Sequence, residues 1–320
     1  MTTFTDMINE VSMNLSGYTL VQDRATHITE DVAATASTIA APITLKFAST
    51  DSIGKGVIEI DEELIWIDNY DRVGNTATVS PYGRAYLGTT LAAHTAGAKT
   101  TIAPTFPRFS IKRTINDTIS SIGSSIFAAG TTTITSNAAV SAFRLPTTGV
   151  SLNIRDVLSV SYQTIGASKE WLPIRSWRLD NNANTTAFDS GQTISIYDNI
   201  PSGRTIQIVY SKEPVPFTTT INATYTTLTA INNQVFTDTT GLPESCKDLV
   251  ILGSTYRLLS NLDPARASMT SPQADEIDSK RPYGSSSSLT KQVYTLFNQR
   301  LNEEIKKQQD KYPIRIHYSL

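Results

Sequence analysis

Four acidic residues lie close together in the chain and are the best candidates for catalysis: Asp61, Glu62, Glu63 and Asp68. Paired carboxylates can act as general acid and base when their surroundings separate their pKa values. Two apolar runs, residues 57–60 and 64–67, flank the first three of these residues and read as strands. We therefore expect Glu62 and Glu63 to lie at a solvated hairpin turn rather than to form a catalytic pair.

The remaining reactive side chains show no catalytic or metal-binding pattern. The histidines, His27, His94 and His317, lack metal-ligand spacing, and we expect a structural hydrogen bond from His94. The single cysteine, Cys246, excludes an internal disulfide, and its apolar surroundings predict a buried, unreactive thiol. No P-loop, nucleophile elbow or dinucleotide fingerprint occurs. We expect no cofactor and no enzymatic activity.

Two groups of residues are candidates for binding. Trp171 and Trp177 could form a sugar-binding platform, although packing in a strand core is the simpler interpretation. Arg108, Lys112 and Arg113 form a short basic group on a predicted helix. That group could line a DNA channel, lie on a solvated helix face or make ion pairs between subunits.

Composition excludes several classes of partner. The chain has 320 residues, of which 18% are charged, and a formal net charge of -2. This balance argues against a nucleic-acid binder with a broad basic surface and gives no attraction to an anionic membrane. No basic segment followed by an apolar core opens the chain, and no run approaches the roughly 20 apolar residues that span a bilayer. We expect a protein made in a cytoplasm, with no membrane partner.

Four stretches have the apolar spacing of helices. They cover about residues 4–16, a segment that begins after Pro107, residues 243–262, and a segment that follows the serines at 285–288. The second stretch carries a stripe of isoleucines: Ile111, Ile115, Ile119, Ile122 and Ile126. Because β-branched residues lose side-chain entropy in a helix, we expect this stripe to pack tightly against partner elements.

Two stretches rich in alternating apolar residues separate the predicted helices. We predict an α+β fold, because lone helices of this length are marginal in water and should pack on one another. Residues 1–37, 105–130 and 241–312 would form a helical bundle. A small β-barrel-like module at 38–104 and a Thr/Asn-rich, β-sandwich-like module at 131–240 would be inserted into it.

The last residues form a separate unit. Pro313 ends the fourth helix, and the apolar residues after it alternate with polar ones as in a strand: Ile314, Ile316, Tyr318 and Leu320. A terminal strand has exposed edges unless another sheet takes it up. Addition to the sheet of a partner is one solution, and we expect this tail to dock on a partner chain. Folding back onto the chain's own β modules is the alternative.

Residues 54–98 resemble a small β module of tailed-bacteriophage structural proteins. The likeness rests on Gly-Val-Ile-Glu-Ile-Asp-Glu-Glu-Leu-Ile-Trp at 56–66, Arg-Ala-Tyr-Leu-Gly-Thr-Thr at 84–90, and Ala-Ala-His-Thr-Ala-Gly-Ala at 92–98. Ala85 stands where the pattern often has glycine. Residues 107–119 and 248–259 further resemble helices of head-to-tail connector proteins.

The resemblance implies a head-to-tail adaptor in the neck of the virion. It would form a homo-oligomeric ring of about twelve copies between the portal and a stopper or tail-completion protein, with only transient, non-specific contact to the passing DNA. Assembly of the ring would bury the isoleucine stripe within and between subunits, and the tail at 313–320 would dock on the portal protein or a neighbouring subunit. Such proteins have no catalytic activity. A tail-fibre or baseplate component that binds a host glycan through the tryptophans is the first alternative. A depolymerase that uses the acidic cluster is the second.

Overall fold

The chain folds into a mixed α+β structure, as predicted. A computed structural model describes residues 1–18, 23–48, 53–137, 139–145, 154–166, 169–188, 190–260 and 285–313. These residues form six α-helices and three antiparallel sheets. Among the helices in these ranges, none is both long enough and apolar enough to cross a membrane.

The first sheet is six-stranded and curls into a half-barrel, with strand order β1-β6-β3-β4-β5-β2. Its strands are β1 (Arg24–His27), β2 (Thr44–Lys46), β3 (Gly56–Ile60), β4 (Glu63–Asp71), β5 (Thr76–Val79) and β6 (Lys99–Ile102). The sheet curls because its inward-facing apolar side chains, such as Ile58, Ile65 and Ile67, surround one core. The two edges approach each other where Ile28 forms an isolated bridge with Phe47.

The second β region consists of two sheets that share one hydrophobic core. Its strands are β7 (Ala128–Thr135), β8 (Ala142–Arg144), β9 (Ile154–Gln163), β10 (Trp171–Pro173), β11 (Trp177–Asp180), β12 (Thr193–Ile196) and β13 (Thr205–Lys212). The sheets have the orders β10-β9-β13-β7 and β11-β12-β8. Ile206 and Ile208 from one sheet and Ile194 from the other are fully buried in the shared core.

The helices are α1 (Phe4–Ser16), α2 (Arg108–Ile122), α3 (Leu228–Asn232), α4 (Phe236–Thr240), α5 (Lys247–Ser260) and α6 (Ser285–Lys311). All of them except α3 contribute buried residues to a third core. α5 packs against α1, α2 and α6. Gly253 of α5 permits this close approach, because a Cβ atom there would lie 2.4 Å from Cγ2 of Thr118 and 2.9 Å from the Phe297 ring.

The structure corrects several predicted boundaries. Residues 24–27 form β1 of the first sheet, and Ile28 and Val32 belong to its core, so the first β module begins near residue 24 and not at residue 38. Residues 228–240 contain α3 and α4 rather than strands. α6 begins at Ser285, so the serines at 285–288, expected to precede the helix, are already helical in backbone.

The isoleucine stripe of α2 lies inside the subunit. Ile111, Ile115, Ile119, Ile122 and Ile126 are each at most 2% exposed and pack in the core formed by the helices of a single chain. This corrects the expectation that the stripe contributes to contacts between subunits, because apolar side chains already buried within one chain present no surface to another. Of the predicted C-terminal tail, Pro313 is exposed, and Ile314, Ile316, Tyr318 and Leu320 lie outside the described residues.

Replacing Ile115 by alanine should therefore destabilise the isolated subunit. Removing buried methyl groups from a close-packed core typically costs about 2–5 kcal/mol. Arg113→Ala, on the exposed side of the same helix, should change the free energy of unfolding by less than about 0.5 kcal/mol. Urea denaturation at two protein concentrations measures both effects. A loss that appears only at concentrations where subunits associate would contradict the intramolecular placement.

Candidate functional site: a buried charge network in the first β module

Glu63 lies at the centre of a buried network at the start of β4. Its side chain is 0% exposed. One carboxylate oxygen, Oε1, accepts hydrogen bonds from Nε of Arg84 at 2.7 Å and from the N–H of Ala85 at 2.8 Å. The other, Oε2, accepts from Nη2 of Arg84 at 2.9 Å and from the N–H of Ala92 at 3.0 Å. Nε2 of His94 lies 3.0 Å from the same Oε2.

Arg84 extends the network to a third segment of the chain. Its Nη1 donates to the carbonyl oxygen of Ala33 at 3.1 Å, and its Nη2 donates to that of Ala92 at 2.6 Å. Only arginine offers this planar set of donors, which satisfies a carboxylate and backbone carbonyls at the same time. The guanidinium therefore fastens the loop around residue 33 and the loop after β5 to the first residue of β4.

The loop that carries Arg84 has an unusual backbone. Ala85 and Leu87 adopt left-handed conformations with φ of 52° and 55°. This conformation costs a residue with a Cβ atom roughly 1–2 kcal/mol, which explains why glycine is common at the position of Ala85 in the pattern that this segment resembles. The Ala85 N–H can reach Glu63 in this conformation, so the network supports the strained turn.

His94 is held between two carboxylates. Its ring is 0% exposed, with Nδ1 at 2.8 Å from Oδ2 of Asp61 and Nε2 at 3.0 Å from Glu63. Burial alone would lower the pKa of His94, but the hydrogen bonds to Asp61 and Glu63 raise it above its ordinary value. With an acceptor at each nitrogen, the imidazole is best satisfied when both nitrogens are protonated. The structural hydrogen bond expected from His94 is confirmed.

The pKa of Glu63 moves in the opposite direction. Burial would raise it, but hydrogen bonds from His94, Arg84 and the two backbone N–H groups lower it to about 2. Glu63 is therefore a permanently ionised partner and cannot take up a proton near neutral pH. The solvated turn predicted for Glu62 and Glu63 is wrong, because a two-residue turn places the Glu63 side chain inside the half-barrel.

The same turn connects the β module to the helices. Glu62 pairs with Nζ of Lys112 on α2, and its Oε1 accepts from Nδ2 of Asn232 on α3 at 2.9 Å. Nζ of Lys112 also donates to Oδ1 of Asn232 at 2.6 Å. Two residues before the turn, Glu59 accepts from the Arg108 N–H at 2.7 Å, at the beginning of α2. These contacts fix the position of the turn against the helices.

Lys112 is therefore not a free cation. Only 5% of its side chain is exposed, and burial lowers its pKa despite the opposing effect of Glu62. The prediction that Lys112 belongs to a solvated or DNA-facing basic group is corrected, because its ammonium group forms a buried ion pair with Glu62 of the same chain. Arg113 is exposed, and the Arg108 side chain is partly exposed.

The acidic residues border two cavities. Burial raises the pKa of Glu59 to about 7, against the hydrogen bond from the Arg108 N–H, so Glu59 and Glu63 differ in pKa as an acid–base pair would. Glu59 and Asp61 line a cleft of about 850 Å³ against α1 and α3, Glu63 borders a cavity of about 360 Å³ beside α2, and Glu62 lines both. Asp68 is exposed and pairs with Lys55 at 3.1 Å.

The other candidate residues are also dispersed. Trp171 is 41% exposed on β10, whereas Trp177 packs against the core of the second β region. Cys246 is buried as predicted, and burial raises the pKa of its thiol to about 12. His27 is exposed on β1, and His317 lies outside the described residues. Within those residues, no group of three or more His, Cys, Asp or Glu could hold a metal ion.

Comparison with known proteins adds no identification. The sequence matches no protein-family model and no curated protein sequence.

Replacing Glu63 by glutamine tests the role of the network. The variant leaves the Arg84 guanidinium buried without its counter-charge, so we expect the free energy of unfolding at pH 7 to fall by about 3–5 kcal/mol. Glu30→Gln, which breaks the exposed pair between Glu30 and Lys46, should cost less than about 1 kcal/mol. Urea denaturation compares the two variants with the native chain.

The dependence on pH gives a second readout of the same variant. The folded pKa of Glu63, about 2, lies below its ordinary value of 4.5, so its ionised form stabilises the fold above pH 4.5 and this contribution disappears as the pH falls through the folded pKa. The Glu63→Gln variant should lose less stability on acidification than the native chain. Equal acid sensitivity would show that Glu63 does not carry this dependence.

Proposed function

We propose that this protein is a structural head-to-tail adaptor of a tailed bacteriophage. It would form a homo-oligomeric ring beneath the portal protein, join the DNA-filled capsid to a stopper or tail-completion protein, and let DNA pass. It would work in the virion neck, without a cofactor and without catalysis.

One observation carries most of this proposal. The residues on which the resemblance rests come from three separate stretches, and Glu63, Arg84, Ala92 and His94 from those stretches are joined by direct hydrogen bonds. A chance match of short motifs has no reason to place the matching residues in one buried network. The coupling supports the interpretation that these stretches encode one folded module of the phage-structural type.

The contacts between the half-barrel and the helices would also suit a subunit that has to transmit force. We further propose that α1, α2, α5 and α6 form a helical bundle, with the half-barrel and the second β region inserted into its connections. The pair between Glu62 and Lys112 and the contact between Glu59 and Arg108 would then hold the half-barrel at a fixed angle. Buried, paired charges of this kind favour one orientation over others.

The charge distribution supports a channel through which DNA slides. Tight DNA binding requires many free lysines and arginines that neutralise phosphates. The net charge of the chain is -2, and Lys112 is neutralised internally. Of the predicted basic group, the exposed Arg113 remains for transient contact with DNA, because Nε of Arg108 pairs with Glu62 at 3.8 Å and its Nη1 donates to Oδ1 of Asn9 at 3.1 Å.

Glycan binding at a tail fibre or baseplate is the alternative. Its support is the exposed Trp171 beside the exposed Leu172 at a sheet edge. Because Trp177 packs against the core instead of lying beside Trp171, the two tryptophans do not form the paired platform that this function would use.

Deleting residues 313–320 tests the adaptor function. Pro313 is exposed after the end of α6, and we expect the truncated chain to fold. It should fail to join portal-bearing heads, because the tail is the proposed docking element. Sedimentation of mixtures of subunits and heads measures the joining, and Trp171→Ala serves as a control that should join normally. Normal joining by the truncated chain would exclude the tail as the docking element.

A further inference from the structure

The cleft of about 850 Å³ lies between the first sheet and helices α1 and α3. Its lining includes a row of neighbouring residues on three strands, Ala25 of β1, Thr101 of β6 and Glu59 of β3. α1 contributes Asn9 and Ser12 to the lining. Most of these side chains are polar, and pockets of about 300–1,000 Å³ typically hold small organic ligands. The cleft is therefore suited to a polar ligand.

Glu59 has one carboxylate oxygen without a partner in this cleft. The residue is only 5% exposed. Its Oε1 accepts from the Arg108 N–H at 2.7 Å, whereas Oε2 has neither a hydrogen-bond donor nor a salt-bridge partner among the described residues. Oε2 is not enclosed by protein, so it faces the cleft that Glu59 lines. Because the oxygens of buried carboxylates are normally hydrogen-bonded, this one is available to a donor that enters the cleft.

The hydrogen bond to α2 requires an acceptor oxygen at Glu59 but not a charge. A glutamine oxygen would accept the same bond from the Arg108 N–H and would avoid the cost of burying a charge. Burial raises the pKa of Glu59 to about 7, although the N–H and the charge of Arg108 oppose this shift. Near neutral pH the carboxyl group is therefore divided between its protonated and ionised forms, and a cation in the cleft would favour the ionised form.

The charged groups around Glu59 come from the sheet, the segment before β1, and α2. They are Asp23, Asp61, Glu62, Lys99, Arg108 and Lys112. Of the described residues that line the cleft, those on α1 and α3 are uncharged. Asp61 and Glu62 already pair with His94 and Lys112, so these two carboxylates do not need a further cation.

Two carboxylates of the cleft lack a cation of their own. The guanidinium of Arg108 lies 3.8 Å from Glu62 and donates to Asn9, and it forms no salt bridge with Glu59. Lys99 is exposed and, within the described part of the chain, forms no ion pair. Asp23 accepts hydrogen bonds from Thr105 but likewise has no salt-bridge partner among the described residues. Asp23 and Glu59 therefore give the cleft a negative surplus.

We propose that this cleft binds an organic cation, an ammonium or guanidinium group, which pairs with Oε2 of Glu59. Both groups carry several N–H donors, so one donor bonds to Glu59 while others bond to neutral acceptors such as the hydroxyls of Ser12 and Thr101. A metal ion is a poorer fit, because no group of three or more His, Cys, Asp or Glu among the described residues could hold one. This inference goes beyond the proposed function and does not depend on it.

Binding of the cation is coupled to pH through Glu59. Only the ionised carboxylate attracts the cation, so binding displaces the proton from the protonated fraction of molecules. Because the pKa of Glu59 is about 7 in the free protein, the affinity rises as the pH increases through 7. It should be about tenfold higher at pH 8 than at pH 6. Ammonium and guanidinium groups remain charged over this range.

Isothermal titration calorimetry on the full-length chain tests this inference. One probe is agmatine, a free amine with a guanidinium and an ammonium group, and the other is a five-residue peptide with capped ends and a central arginine. At least one probe should bind at one site per subunit, about tenfold more tightly at pH 8 than at pH 6. Binding of agmatine without the peptide identifies a free amine as the ligand, whereas tighter binding of the peptide identifies a basic side chain of a partner protein.

Two carboxylate-to-amide substitutions supply a matched pair of variants. Glu59→Gln keeps an acceptor for the Arg108 N–H, so the variant should fold, as circular dichroism would verify. At pH 8 its affinity for the probe should fall about tenfold or more, because a charge-assisted hydrogen bond becomes a neutral one, and the dependence on pH should disappear. Asp68→Asn removes the same charge from an exposed position of β4 that does not line the cleft, and it should bind like the native chain.

Three results would overturn the proposal. The first is that neither probe shows saturable binding to the native chain at pH 8. The second is an affinity of the native chain that does not change between pH 6 and pH 8, which needs no variant to measure. The third is that Glu59→Gln binds as tightly as Asp68→Asn, which would place the bound cation elsewhere on the chain.

Discussion

The first β module depends on the carboxylate of Glu63 in a dry interior. An ionised carboxylate without partners is very costly to bury, and this one is stable because Arg84, His94 and two backbone N–H groups surround it. The loop from Gly83 to His94 has little regular secondary structure, so apolar packing alone would hold it weakly. The network gives this loop one conformation, including the left-handed backbone at Ala85.

The position of Glu63 determines what its neighbours can do. Glu63 begins β4 with its side chain inside the half-barrel, whereas Glu62 is the last residue of the turn and its side chain lies on the side of the helices. There it meets Lys112 and Asn232, and Glu59 meets the beginning of α2. A single hairpin thus serves two purposes, since one carboxylate orders the interior of the module and two others orient it against the helical core.

Periodicity predicted the regular elements well. Phe4, Met7, Ile8, Val11 and Leu15 are all buried on α1, and the isoleucines of α2 are buried on one face. Strands also occur at the two apolar runs, residues 57–60 and 64–67, as predicted. Short elements escaped prediction, because α3 and α4 have 5 residues each and show too few turns for a helical period. β1 contains no long apolar run either, and its pairing with β6 depends on distant residues.

The charge network was predicted less well for a physical reason. The spacing of Asp61, Glu62 and Glu63 cannot show which carboxylate points inward, since that depends on a donor about twenty residues later. A lone arginine in a loop that contains an Ala-Ala-His stretch was the available signal, and only the resemblance drew attention to it. The burial of Lys112 was likewise hidden, because its partners Glu62 and Asn232 come from distant parts of the chain.

The most direct test of the adaptor function is to image the neck of intact virions with this chain carrying a density label. The account predicts a ring of labelled subunits directly beneath the portal, with the half-barrels fixed to the helices in every copy. Label found only at the distal tail or its fibres would contradict the account and would move the function to host recognition, with Trp171 as the first residue to test.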